Sequence, residues 1–355
     1  PRSDWSSDVC SSDLDRKGRK VTMYASLLMM GISTSIIGIL PPAASAGVGV
    51  VIVLQLMRLA QCFGRGGTWG GGILMAYENV PENKRSFYAA IPQIGLPIGF
   101  GLSSILIAVP TLLLPEDIFF TWGWRIPFLA AIILTVIVIR QKGEMMETED
   151  YKKAQAKLEA EEAEGKKHKV GFIPMVKGYW KTLLLGCGTR WVDGTFYNIF
   201  IVWILSYCIN WLGMPLIQTY IITIIACIFK IPFTLFGGWC AQKLGNTRTF
   251  VIGALASAVL SIPTLKVIEL SKGNLAITII GIVLGWSIAY NLIWAVISSL
   301  WSSYFETEVR YSGISFVYHV PSFLVAGMVP TICTLLINYG KGDTIYVGIY
   351  STVVA

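Results

Sequence analysis

Charge is what this sequence has least of. Asp, Glu, Lys and Arg make up 14% of its 355 residues, where a soluble domain carries about 25%. Hydrophobic residues reach 54% and mean hydropathy is +0.63, so most of the chain is suited to lipid rather than water. Histidine occurs only twice, as His168 and His319, and neither belongs to an HExxH. Gly-x-Ser-x-Gly is absent, and so is any paired His/Asp cluster, which removes the common frames for hydrolytic and metal-dependent catalysis. The seven cysteines show no CxxC or Cys/His spacing. They supply neither a disulfide framework nor a metal site and read as small apolar packing residues. The net charge of +7 is spread over short loops, which argues against a nucleic-acid surface.

What the chain does have is long apolar runs. Nine lie at 21–40, 48–75, 86–114, 124–139, 181–211, 215–240, 249–269, 275–304 and 312–338, and a tenth starts near Thr344. About 20 apolar residues suffice to cross a bilayer. Basic residues occupy alternate loops, at 16–20, 84–85, 140–177, 243–248 and Arg310. The opposite loops hold only Lys272 and Lys341, and one of them carries Glu116 and Asp117. The positive-inside rule then makes the loops at 15–20, 80–86, 141–177, 241–248 and 305–311 cytoplasmic, in an inner or plasma membrane. The expected fold is an all-α, polytopic, monomeric helix bundle in two halves, 15–140 and 178–355. Between them, the linker at 141–177 has Glu and Lys at helical spacing and reads as a solvated helix on the membrane surface.

Both ends read as truncations. No initiator Met opens the chain, and residues 1–14 repeat Ser-Ser-Asp. Residues 8–14 back-translate to a string resembling a sequencing-adapter end, so 1–14 are expected to be a non-native leader. At the other end the tenth apolar run stops at Ala355.

The run at 48–75 carries two arginines, Arg58 and Arg65, in QLMRLAQCFGRGGTWGGG. An arginine at membrane depth is costly unless it faces a packed interior or a watery cavity. Gly66 with Gly70 and Gly67 with Gly71 form small-residue pairs that let helix backbones approach closely. A buried cation beside a smooth packing face is the profile of a pathway helix in a polytopic transporter. The internal repeat agrees: DRKGRK precedes the first span and AQKLGNTR, at 241–248, precedes the third span of the second group. If those turns are equivalent, the first half lacks two helices and the intact protein has six plus six.

These residues resemble the major facilitator superfamily, and within it the metabolite:proton symporter group. DRKGRK looks like the family's D-R-x-G-R-[RK] turn, and RLAQ at 58–61 resembles its R-x-x-Q-G motif. NKRSFYAAIPQIGLPIG at 83–99, WGWRIPFL at 122–129 and VRYSGISFVYH at 309–319 are similar to the group's fifth-, sixth- and eleventh-helix entries. Four positions depart from the pattern: Cys62 replaces a Gly, Thr68 a Glu found in many relatives, Arg65 a small residue and Gln242 an acidic one.

The resemblance implies alternating access by two rocking halves, a small-molecule substrate that is an organic anion or a zwitterion, and no cofactor beyond a coupling proton. Candidate pathway residues are the polar groups inside spans. Arg58, with Gln61 beside it, binds a substrate carboxylate, holds a carboxylate partner whose protonation drives the cycle, or locks the bundle by a salt bridge. Arg190 and Asp193 form either a self-neutralising pair near the cytoplasmic end or a pair in which Asp193 accepts a proton. Lys230 either snorkels or binds an anion. His319 reads first as a hydrogen-bonded helix residue and second as a titrating group. Gln93, Tyr197, Asn198, Asn291 and Trp294 are candidates to line a cavity. Asp15, Arg16, Gly18 and Arg19, with Glu78 and Arg85, are expected to gate the cytoplasmic side rather than to bind substrate. The competing readings are a uniporter, motivated by Thr68, a membrane enzyme and a sensor signalling through the linker.

Overall fold

The computed structural model describes residues 19–41, 47–140, 172–306 and 309–355. The proposed leader, most of the linker, and Asp15, Arg16 and Gly18 lie outside the described residues, as does the side chain of Arg19. Among the described residues the chain is helical and contains no strand. The helices are α1 (Arg19–Ile39), α2 (Val48–Glu78), α3 (Arg85–Ala90), α4 (Gly95–Leu113), α5 (Glu116–Thr121), α6 (Ile126–Arg140) and α7 (Phe172–Tyr197). They continue as α8 (Ile204–Asn210), α9 (Leu216–Leu244), α10 (Asn246–Leu270), α11 (Leu275–Ile282), α12 (Asn291–Tyr304), α13 (Arg310–Tyr339) and α14 (Ile345–Val354).

Among the described residues, eight helical runs are long and apolar enough to span a membrane, and shorter apolar stretches lie at Met23–Ile39 and Ile345–Val354. Their outer faces carry the large apolar side chains that lipid requires. Phe323 is 85% exposed and Val259 72%, and none of the fifteen residues of α6 is buried. Cys208, Cys227, Cys240 and Cys333 are buried packing residues, whereas Cys62 is exposed.

Local chemistry sets the breaks. The run expected at 86–114 is interrupted at Pro92–Ile94 by a 3₁₀ turn, because Pro92 cannot donate to the helical ladder. The loop expected at 115–123 contains the short helix α5. Gly245, with φ of 91°, ends α9 at a positive φ that suits glycine. Asn274 starts α11 by accepting from the Ala276 and Ile277 N–H groups. Two spans contain a π-helical segment, Asn198–Trp203 between α7 and α8 and Val283–Ala289 between α11 and α12. No apolar periodicity predicts these.

By packing, the chain forms two compact units. The first joins residues 1–79, 106–178 and 305–315; the second joins 80–105, 179–304 and 316–355. In the first, Gly31 lies against Thr135 and Gly38 against Phe128, which seats α1 on α6. Gly64 lies against Met30 and the Ser26 carbonyl and seats α2 on α1. In the second, a Cβ at Gly186 or Gly194 on α7 would meet Val317 or Val325 on α13 at 2.6 and 2.7 Å. Gly237 similarly admits Ala295, and Gly253 admits Leu292. Glycines thus replace side-chain volume with close backbone approach, the usual way of packing helices in lipid.

Candidate functional site

The second unit encloses a charged cluster. Arg190 and Asp193 pair through Nη1 and Oδ2, with side chains 10% and 0% exposed. The helical run containing them extends from Met175 to Asn210. The pair therefore falls near its middle, not near its cytoplasmic end as the shorter span read from the sequence implied. Close contact of α7 with α13 carries Arg190 to that helix. Its Nε donates to Ser322 Oγ at 2.9 Å, and its guanidinium lies 4.2 Å from the Tyr318 ring centre. The other oxygen of Asp193 accepts from the Tyr290 hydroxyl at 2.7 Å. Tyr290 is fully buried and stacks on Phe196, centroids 6.5 Å apart.

Lys230, on α9, is also fully buried. Its Nζ lies 4.6 Å from the Trp286 ring centre, 4.4 Å from Tyr290 and 6.0 Å from Trp294. Nζ donates to the Trp286 carbonyl at 3.4 Å. The backbone of Lys230 is fixed by Asn291, whose amide donates to the Lys230 carbonyl at 2.9 Å and to Thr234 Oγ1 at 3.0 Å. Gln93 and Trp294 bond reciprocally: Gln93 Nε2 donates to the Trp294 carbonyl and Trp294 Nε1 to the Gln93 carbonyl, at 3.4 and 3.2 Å. The π-helical segments border this cluster and touch each other, since a Cβ on Gly285 would sit 2.4 Å from the Phe200 ring. Such segments recur at functional sites because they re-aim side chains without ending the helix.

The charges do not balance. Arg190 and Lys230 bring two positive charges and Asp193 one negative. Each aromatic face offsets about 0.5–2 kcal/mol for a nearby cation, against a desolvation cost of several kcal/mol per buried ion. Counted formally, the buried site carries one more positive than negative group.

Several candidates lie elsewhere or are committed locally. Arg58 is exposed, like Val51, Leu56 and Leu59 around it, and no described carboxylate pairs with it. Gln61 donates to Thr34 Oγ1 at 2.7 Å and so ties α2 to α1. Asn198 spends its amide on the Gly194 carbonyl one turn back, at 2.8 Å. Tyr197 is half-buried at the end of α7. His319 meets the Tyr318 ring edge-on at 5.0 Å.

A second ion pair lies in the first unit. Glu78 closes α2 with its side chain 0% exposed and pairs with Arg310 at 3.0 Å. Arg310 also donates to the Phe305 carbonyl at 3.1 Å. Arg85 pairs instead with Glu82, at 3.3 Å. Gln242, the neutral residue of the repeated turn, donates to the Asn83 carbonyl and accepts from the Phe87 N–H at 3.3 Å. It therefore clasps the start of α3 to the end of α9.

Sequence reading missed Tyr290, Trp286, Tyr318 and Ser322. One signal was available: Trp286, Tyr290 and Trp294 recur every four residues and mark one helical face. Arg310 was legible only as a loop charge.

Apolar helical runs long enough to span a membrane, with a charged pair buried among them, describe an integral membrane protein. The chain belongs to the major facilitator superfamily, whose family profile matches residues 12–330. It is 32% identical to the Inner membrane metabolite transport protein YhjE of Escherichia coli (strain K12), over 96% of this chain and 76% of that protein. It is 29% identical to the Shikimate transporter of the same organism, over 95% of this chain and 75% of the relative. With that organism's Proline/betaine transporter it shares 28% identity, over 91% of this chain and 64% of the relative. Among solved structures, the proton:xylose symporter XylE shares the fold with a TM-score of 0.72 at 16% identity, covering 96% of this chain and 80% of that one.

Proposed function

We propose that this secondary transporter moves a small organic acid or compatible solute by alternating access, coupled to protons, across an inner or plasma membrane. The observation that carries the reading is the buried cluster of Arg190, Asp193, Tyr290 and Lys230. Buried ionisable groups inside spans are expensive and serve transport pathways. Asp193, held by a guanidinium and a phenol, is the group suited to exchange a proton as its partners move. Glu78 and its partner Arg310 serve the gate on the cytoplasmic side. Alternating access rocks the two halves about the substrate site. The names of the relatives, metabolite, shikimate and proline/betaine transporters, support the substrate range.

Uniport is the second reading. Thr68, at the place where relatives carry a carboxylate, bonds the Arg65 carbonyl at 3.2 Å and brings no acid to α2. The test is uptake of labelled shikimate, dicarboxylates and glycine betaine into proteoliposomes, with and without an inward proton gradient. Gradient-stimulated uptake that is lost in Asp193→Asn supports symport. Uptake indifferent to the gradient establishes uniport, and no uptake of any compound refutes the assignment.

A further inference from the structure

An aromatic cage open to a ligand is the common way to bind a quaternary ammonium, because the ring faces are electronegative. Trp286, Tyr290 and Trp294 form such a set of faces, but the Lys230 ammonium already occupies it, 4.4 to 6.0 Å from the three ring centres. Resting on the transport reading above, we propose that Lys230 is the specificity-determining residue of the site. It anchors the carboxylate of an ammonium-free organic acid and excludes betaine-like zwitterions.

Four observations carry this. Both oxygens of Asp193 are committed, one to Arg190 and one to Tyr290. No described carboxylate lies within ion-pair distance of Lys230, whose three ammonium hydrogens have one acceptor, the Trp286 carbonyl at 3.4 Å. The neighbouring amides are spent as well: Asn291 bonds Thr234 and the Lys230 backbone, and Gln93 bonds the Trp294 carbonyl. Finally, the titratable and charged groups around Nζ are Asp193 from α7, itself paired with Arg190, Tyr290 between the second π segment and α12, and Cys227 from α9 itself. Their formal charges, with Lys230, sum to a positive surplus.

An entering carboxylate neutralises that surplus and supplies the missing acceptors. An entering trimethylammonium meets ring faces already filled and a like charge beside them. Opposition of this kind, rather than attraction alone, is how sites reject a near-isosteric competitor. The site is thus matched to one of the two chemistries that the relatives' names span.

The experiment measures binding to the full chain in nanodiscs, and uptake by the same preparations in proteoliposomes. The probes are shikimate, benzoate and pyruvate as ammonium-free acids, and glycine betaine and proline as zwitterions. Wild type is expected to bind and transport at least one acid and neither zwitterion. Lys230→Met, which leaves an apolar side chain of similar length, is expected to weaken acid binding roughly thirtyfold or more and to admit glycine betaine. Lys230→Arg retains the cation and is expected to keep the preference for acids. Wild-type uptake of glycine betaine overturns the inference and leaves the transport reading standing. Unchanged acid binding in Lys230→Met also overturns it. Uptake of neither class by wild type overturns both.

Discussion

Removing the negative charge from the cluster should cost far more than removing the neighbouring positive one. Wild type holds Arg190, Lys230 and Asp193, a formal total of +1. Asp193→Asn raises it to +2 and leaves Arg190, whose side chain is 10% exposed, without its carboxylate. Breaking a buried pair from one side costs about 3–5 kcal/mol. Arg190→Met lowers the total to zero, because Asp193 keeps the Tyr290 hydroxyl at 2.7 Å and has Lys230 nearby. That variant should lose about half as much or less, towards the penalty of a single buried hydrogen bond to a charge, about 1.5–3 kcal/mol. The double variant returns the cluster to +1 with both partners gone and should recover most of the loss, for a coupling of about 2 kcal/mol or more. Equilibrium unfolding in mixed detergent micelles, followed by circular dichroism, reads all four corners of the cycle. If Arg190→Met matches or exceeds Asp193→Asn, or if the two losses simply add, the pairing described here is not what holds α7 in place.

Other outcomes follow from single contacts. Glu78→Gln should weaken the hold on Arg310 and raise the labelling rate of a cysteine introduced at position 82, measured with a membrane-impermeant maleimide; an unchanged rate speaks against a gate at this pair. Gly285→Ala puts a methyl group within 2.4 Å of Phe200 and should destabilise by about 1–3 kcal/mol, with Phe200→Leu restoring part of the loss in the same unfolding assay. The Asp343 carboxyl, in the loop between α13 and α14, is held below its ordinary value of 3.8 by the Lys266 ammonium and the Ile345 N–H. A depressed carboxyl stabilises the fold above its unfolded value, and the contribution fades as pH falls from there through the folded value. Unfolding midpoints between pH 7 and pH 3 should therefore decline less in Asp343→Asn than in wild type.

How much of this was legible in the sequence depends on the range of the interaction. Arg190 and Asp193 are three residues apart on one helix, so their pairing follows from helical geometry alone. Tyr290 lies 97 positions from Asp193, and no local pattern joins them. The glycines at 186 and 194 mark a smooth face on α7 but do not name Val317 and Val325 as what fills it. Arg58 illustrates the converse. Its depth in an apolar run is plain from hydropathy, yet hydropathy carries no azimuth, and the structure turns it to an exposed face of α2. The π-helical segments were invisible because one extra residue in a turn does not alter an apolar composition. The helical, membrane-spanning character of the chain, set by hydropathy, was the most legible level.

The clasp at Gln242 has a consequence for how the molecule responds to its surroundings. Where an acidic side chain holds the corresponding turn, the contact weakens as salt screens it or as protons neutralise it. An amide that donates at one end and accepts at the other has no charge to screen and no proton to gain. The link between the start of α3 and the end of α9 does not depend on charge, in dilute or concentrated salt, at neutral or acid pH. This chain therefore has, at that turn, a latch deaf to ionic conditions.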